Sequence, residues 1–239
     1  MTQNNRIREI IKRERRRRAL QYDTLCDCDF AHDNGENPGA SRFAKNYAAH
    51  FERFGPRGAG LFLYGASGAG KTWLASAIIN ELTDRGYRCL YTSMLSIMNT
   101  LPTLSYETRY DYINRFSSVQ LLVLDDFGIE TETSYSSNIL NGIVNACFRK
   151  NIPIIAVTPF PKDALLKESG DSRRNVAVRR LRERCLDYTV PVPAARSTEK
   201  FRQKKETEGL LKDGVEPVQG TLPLQEEGKK ETNDTCRKK

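Results

Sequence analysis

Apolar positions change their period along this chain, and the changes mark its elements. Gly60-Leu61-Phe62-Leu63-Tyr64 is a short unbroken apolar run, the pattern of a strand covered on both faces. Beyond it Leu74, Ile78 and Leu82 recur every four residues as far as Gly86, which predicts a helix with one apolar face and a glycine stop. Residues 88–93 predict a second strand and 94–116 a less regular helical stretch. Leu121-Leu122-Val123-Leu124 then runs into Asp125-Asp126, a buried strand that ends in two carboxylates. Ile139, Leu140, Ile143, Val144, Cys147 and Phe148 give a broad helical face closed by Arg149-Lys150, where basic residues suit a helix C-terminus. Residues 153–159 predict another buried strand, ended by Pro159.

The flanks are less regular. Asn34-Gly35 and Asn37-Pro38 predict a loop. Ser41 predicts the cap of a helix in which Phe43, Tyr47, Phe51 and Phe54 share a face, ending at Gly55-Pro56. That aromatic stripe reads as core packed on the sheet. Residues 172–185 form an arginine-rich helical stretch with a largely solvated face, and Val190-Pro191-Val192-Pro193 is at most a short edge strand. Strands alternating with helices predict a parallel α/β sheet.

Between the first strand and its helix lies Gly65-Ala66-Ser67-Gly68-Ala69-Gly70-Lys71-Thr72. It fits the spacing G-x-x-x-x-G-K-[ST] in the strand–loop–helix context that the motif requires. Glycines let successive backbone N–H groups turn inward onto phosphate oxygens, with the positive end of a helix behind them. Lys71 then reaches the β- and γ-phosphates, and the Thr72 hydroxyl holds Mg²⁺. A buried strand delivers its last residues to the ligand edge of such a sheet. Asp125 is therefore expected to hold Mg²⁺ through its water shell, and Asp126 to orient and activate the attacking water. The expected ligands are ATP and Mg²⁺.

Charge is unevenly placed. The chain has 239 residues and a formal net charge of +8. Residues 1–18 hold eight Lys or Arg against Glu9 and Glu14, a local excess of +6. Such an arm suits contact with nucleic acid or an acidic protein surface. The six cysteines have no repeated spacing, and Cys26-x-Cys28 near His32 has no second pair with which to complete a zinc site. No signal-peptide pattern opens the sequence and no apolar run approaches the ~20 residues of a membrane span. The expectation is a cytoplasmic protein with reduced thiols and no membrane partner. Beyond Lys200, mixed charge and scarce apolar residues predict a disordered tail.

These pieces in order resemble the AAA+ ATPases of the DnaC helicase-loader and IstB transposition-helper group. The resemblance runs from about Asp29 to Arg202. Asp29-Phe30-Ala31-His32-Asp33-Asn34 is similar to the family's segment near the adenine, and Gly65 to Thr72 and Leu121 to Gly128 match its two nucleotide motifs. At Val157-Thr158-Pro159 the family usually has a Thr-Thr-Asn run that senses the γ-phosphate. Proline stands here for asparagine, so only Thr158 carries over. The resemblance also implies that Arg180 is an arginine finger acting on a neighbouring subunit's ATP, with Arg179 its rival, and that Arg196 is a second sensor.

The implied fold is an AAA+ P-loop NTPase core with a five-stranded parallel sheet in the order 5-1-4-3-2 and little or no helical lid. Residues 1–28 would be a basic arm, 29–199 the ATPase domain and 200–239 the tail. The implied function is ATP hydrolysis coupled to loading or remodelling a replicative helicase on DNA, single-stranded in preference to duplex, by an ATP-dependent homo-oligomer. An ATPase helper that marks duplex DNA for a transposase, a nucleotide-switched DNA-binding adaptor with negligible hydrolysis and a monomeric small-molecule kinase are the alternatives. The short region ahead of the shared segment inclines the expectation toward a mobile element.

Overall fold

Alternation along the buried strands sorts the core onto the two faces of one sheet. The computed structural model describes residues 3–130, 133–166, 171–193 and Thr207. The chain divides into two units, Met1–Ser197 and Thr198–Lys239, and everything described below lies in the first. Arg196 and, apart from Thr207, the expected disordered tail fall outside the described residues.

In chain order the elements are α1 (Gln3–Leu20), α2 (Pro38–Ala49), α3 (Phe51–Phe54), β1 (Gly60–Tyr64), α4 (Lys71–Asp84), β2 (Cys89–Ser93), α5 (Met94–Thr100), α6 (Tyr106–Asn114), β3 (Leu121–Asp125), α7 (Ser134–Arg149), β4 (Ile154–Val157), α8 (Lys162–Leu166), α9 (Ser172–Arg184) and β5 (Cys185–Thr189). The strands lie in the order β2-β3-β4-β1-β5, and every pair is parallel. Read from the other edge this is 5-1-4-3-2, the order that the resemblance implies. Leu61, Leu63, Tyr91, Val123, Ile155 and Val157 face α1, α2 and α4. Phe62, Tyr64, Leu90, Leu122, Leu124 and Ala156 face α5, α7 and α9. Period-two alternation puts each set on its own face, so each central strand is apolar on both faces.

Three local differences from the sequence reading have physical causes. The cap of α2 is Asn37, whose side chain accepts from Ala40 N with Pro38 at the first helical position, while Ser41 is buried inside the helix. Proline without an N–H suits that first turn. The aromatic helix is also broken at His50, yet Tyr47 and Phe51 remain buried and Phe43 stacks on Tyr188 at 4.1 Å.

The fifth strand is Cys185–Thr189, with Val190-Pro191-Val192-Pro193 following it as irregular chain. Only Cys185 and Tyr188 of β5 are even half-buried. An edge strand covered on so little of its surface carries a weak apolar signal.

The basic arm is more firmly placed than a solvated terminus. It is the helix α1, and its last turns pack on α4 with Arg16, Ala19 and Leu20 buried. Arg16 donates to Asp84 Oδ1 at 3.1 Å, Asp84 Oδ2 at 2.6 Å, Asp29 Oδ2 at 3.1 Å and Cys26 O at 2.8 Å. Asn80 of α4 donates to the carbonyls of Leu25, Cys26 and Cys28. Together they pin the segment after α1 against the helix that begins at Lys71. Among the described residues no helix is long and apolar enough to cross a membrane.

Candidate nucleotide site

The glycine loop leaves β1 at the edge where the parallel strands end. Gly65 has φ +143° and a Cβ there would meet the carbonyl of Val190; Gly70 has φ +91° and opens α4. Both conformations favour glycine. The turn is closed by Ala69 N donating to Ala66 O at 3.2 Å. Lys71 is buried and its Nζ donates to Gly65 O at 2.8 Å and Ala66 O at 3.0 Å, so the ammonium lies folded over the loop. Burial lowers the Lys71 pKa, and Asp125 and Asp126 oppose that shift.

Asp125 ends β3, one strand beyond β4 from the loop. It is buried and holds three donors. Thr72 Oγ1 donates to Oδ2 at 2.8 Å, Tyr91 OH donates to Oδ2 at 2.6 Å, and Asp126 N donates to Oδ1 at 2.8 Å. Asp126 itself is exposed with φ +54°. Desolvation of its carboxyl, then the Asp125 charge, push its pKa up, and Lys71 pulls it back.

Lys71, Thr72, Asp125 and Asp126 are therefore brought together. Thr158 is fully buried just past β4; its N–H donates to Leu63 O and its hydroxyl accepts from Phe160 N at 3.2 Å.

Arg180 is elsewhere. Its guanidinium lies 5.5 Å from the Phe148 ring centroid, in a cluster with Gly58, Ile152 and Cys185, where β1, β4 and β5 begin. That edge is opposite the chain's own phosphate loop.

Sequence reasoning missed Tyr91. It pairs with Val123 in the β2–β3 register, so it reaches diagonally to Asp125 two residues on along the same face. Strand register was the missing information. Burial and the Asp125 charge raise the Tyr91 pKa, which keeps the phenol a donor.

A small cleft of about 80 Å³ adjoins the loop, lined by Gly70, Trp73 and the segment His32–Asn34. This puts the segment expected near adenine against the first turn of α4. Asp29 braces it: Oδ1 accepts from the backbone N–H groups of Ala31 and His32 and lies 2.6 Å from His32 Nδ1. Burial alone would raise Asp29, but the bonds from His32 and Arg16 hold it below the ordinary carboxylate range.

Comparison with known proteins agrees with this fold and places the chain in a family. The replicative helicase loader DnaC of Escherichia coli K12 is 32% identical over 148 residues, 61% of this chain and 60% of that protein. The replicative helicase loader DnaI of Bacillus subtilis is 29% identical over 142 residues, 57% of this chain and 46% of that protein. The chain thus matches about half the length of these curated relatives. A crystal structure of DnaI superposes with a TM-score of 0.59 at 22% identity, covering 73% of this chain and 95% of that one, so the two share a fold. A sequence model of the family described as IstB-like ATP binding protein matches residues 7–161, and the chain belongs to that ATP-binding family.

Proposed function

We propose that this chain is a Mg²⁺-dependent, cytoplasmic ATPase that loads or remodels a replicative helicase on DNA. The observation that carries the ATPase reading is the bond between Thr72 and Asp125 across β4 beside Lys71. A hydroxyl and a carboxylate converging at a phosphate loop are the hard oxygen donors that suit Mg²⁺. When bound, Mg²⁺ would neutralise charge on the β- and γ-phosphates. Lys71, released from the Gly65 and Ala66 carbonyls, would bind those phosphates, and the loop's N–H groups would orient them. Asp126, exposed at the mouth of the site, would accept the proton of the attacking water, and Thr158 would be the polar group of this edge that contacts the γ-phosphate.

Arg180 is too remote to serve its own site, so its use as a finger requires a neighbour, and the active form is a homo-oligomer. The helicase client follows from the two loader relatives and single-stranded DNA from the class of reaction. The resemblance to the IstB group keeps a second reading, an ATPase helper of DNA transposition acting on duplex DNA.

The test is steady-state ATP hydrolysis over a protein concentration series with single-stranded, duplex or no DNA, followed by helicase-loading assays on a primed single strand. The expected result is activity that rises with concentration and single-stranded DNA, is lost in Lys71→Ala, and accompanies helicase loading. Concentration-independent activity indifferent to DNA would overturn the reading. Stimulation by duplex alone with no helicase loaded would transfer it to transposition.

A further inference from the structure

A second basic site lies at the far end of α4 from the phosphate loop. Arg15 and Arg18 of α1 and Arg88 before β2 line a cleft of about 380 Å³ together with Thr83 and Tyr87. No carboxylate lines it among the described residues. Arg18 is engaged by Glu14 at 2.9 Å, whereas Arg15 and Arg88 are exposed and have no side-chain ion pair among the described residues. Thr83 is buried at the floor of the cleft, its hydroxyl against the Cys89 thiol.

We propose that this cleft is a contact site for the phosphodiester backbone of DNA, distinct from the ATP site. Guanidinium forks match phosphate oxygens in geometry and charge. The basic surface also continues beyond the cleft: Arg8 lies seven residues before Arg15, on the same face of α1 and about 10.5 Å away along its axis. A stripe of that length suits a polyanion better than a lone phosphate. Because the cleft lies where the strands begin, DNA held there leaves the phosphate loop open to ATP. The inference rests on the reading of the chain as a DNA-acting ATPase and names the surface that reading lacks.

The experiment is fluorescence anisotropy of labelled oligothymidine and of a labelled duplex with the full chain, wild type against Arg15→Gln/Arg88→Gln, over a salt series. Binding of a fluorescent ATP analogue is measured in parallel. The double variant is expected to bind DNA about tenfold more weakly near 100 mM salt, with the slope of log K against log salt reduced by about 1.4 on single strands or about 1.8 on duplex. ATP binding should be unchanged, and Arg15→Lys/Arg88→Lys should keep the wild-type slope.

Unchanged affinity and slope in the double variant, with wild type binding DNA, would overturn this site and leave the helicase-loader reading intact. Absence of DNA binding by wild type would overturn both. Displacement of DNA by polyglutamate as effectively as by unlabelled DNA would assign the cleft to an acidic protein and overturn the proposal.

Discussion

Thr72 and Asp125 stand 53 positions apart, yet the threonine hydroxyl donates to the aspartate at 2.8 Å. Thr72→Val removes one of three donors to Asp125 and leaves Tyr91 and Asp126 N in place. The expected outcome is a folded protein whose Mg²⁺ titration of ATP hydrolysis shifts to higher concentration, with maximal rate lowered about 10²-fold. Binding of the nucleotide without Mg²⁺ should change little. An unaltered Mg²⁺ titration would remove Thr72 from the metal site.

Asp126 gives a prediction with a pH sign. Desolvation and the Asp125 charge raise its carboxyl above the ordinary value of 3.8, so the folded chain holds that proton more readily than the unfolded one. Its charge therefore costs stability above the raised folded value, and the cost fades as pH falls through that value and is gone below 3.8. Asp126→Asn should raise the melting temperature at neutral pH, with the gain vanishing on acidification. The gain should be small because the residue is exposed and solvent screens the charge. Asparagine tolerates the positive φ at this position. Hydrolysis in the same variant should fall about 10²-fold while ATP binding persists. Thermal scans and single-turnover hydrolysis over pH check both.

Arg16 is the most heavily bonded cation of α1. Its side chain is 9% exposed and joins Asp84 of α4 to Asp29 beside the nucleotide cleft. Arg16→Ala leaves two carboxylates without that partner, and loss of one member of a buried pair costs about 3 kcal/mol. Arg16→Lys keeps the charge but loses the fork, so it should recover part of that. Because Asp29 shapes the segment next to Gly70, both variants should also weaken ATP binding, Arg16→Ala more. Urea midpoints and nucleotide titrations measure the two effects.

What the sequence made legible was local. The strand–glycine loop–helix unit was readable because 60–82 satisfies a motif and two periodicities at once, and β3 because four apolar residues end in carboxylates. Tyr91 and Arg16 were not readable. Tyr91 meets Asp125 through a strand register, and Arg16 meets Asp84 across 68 positions; neither separation leaves a trace in periodicity. In residues 3–20 the density of arginine hid the one that is buried. The edge strand β5 was displaced because its exposed Leu186 and Asp187 carry no apolar run. The expectation of Ser41 as the cap failed differently, since the true cap is written in the sequence as Asn37-Pro38, and a serine four residues on reads as a rival.

Arg180 and Arg184 lie one helical turn apart on α9 and differ in how firmly each is held. Arg184 stacks on Phe148 at 3.7 Å to the ring centroid and donates to Phe148 O at 3.0 Å and Asn151 Oδ1 at 2.9 Å. Arg180 meets the same ring at 5.5 Å. Arg184→Ala should therefore destabilise the fold by about 1–2 kcal/mol through the lost bonds and stacking, with catalysis reduced only as far as folding is. Arg180→Ala should leave the melting temperature close to wild type and abolish DNA-stimulated hydrolysis while ATP still binds. A finger works in a neighbour, so mixing tests it directly. Arg180→Ala retains an intact phosphate loop, and Lys71→Ala retains an intact finger. Combining the two inactive variants should restore a fraction of activity at subunit junctions where a normal loop faces a normal Arg180. Mixtures with no more activity than either variant alone would take the finger away from Arg180.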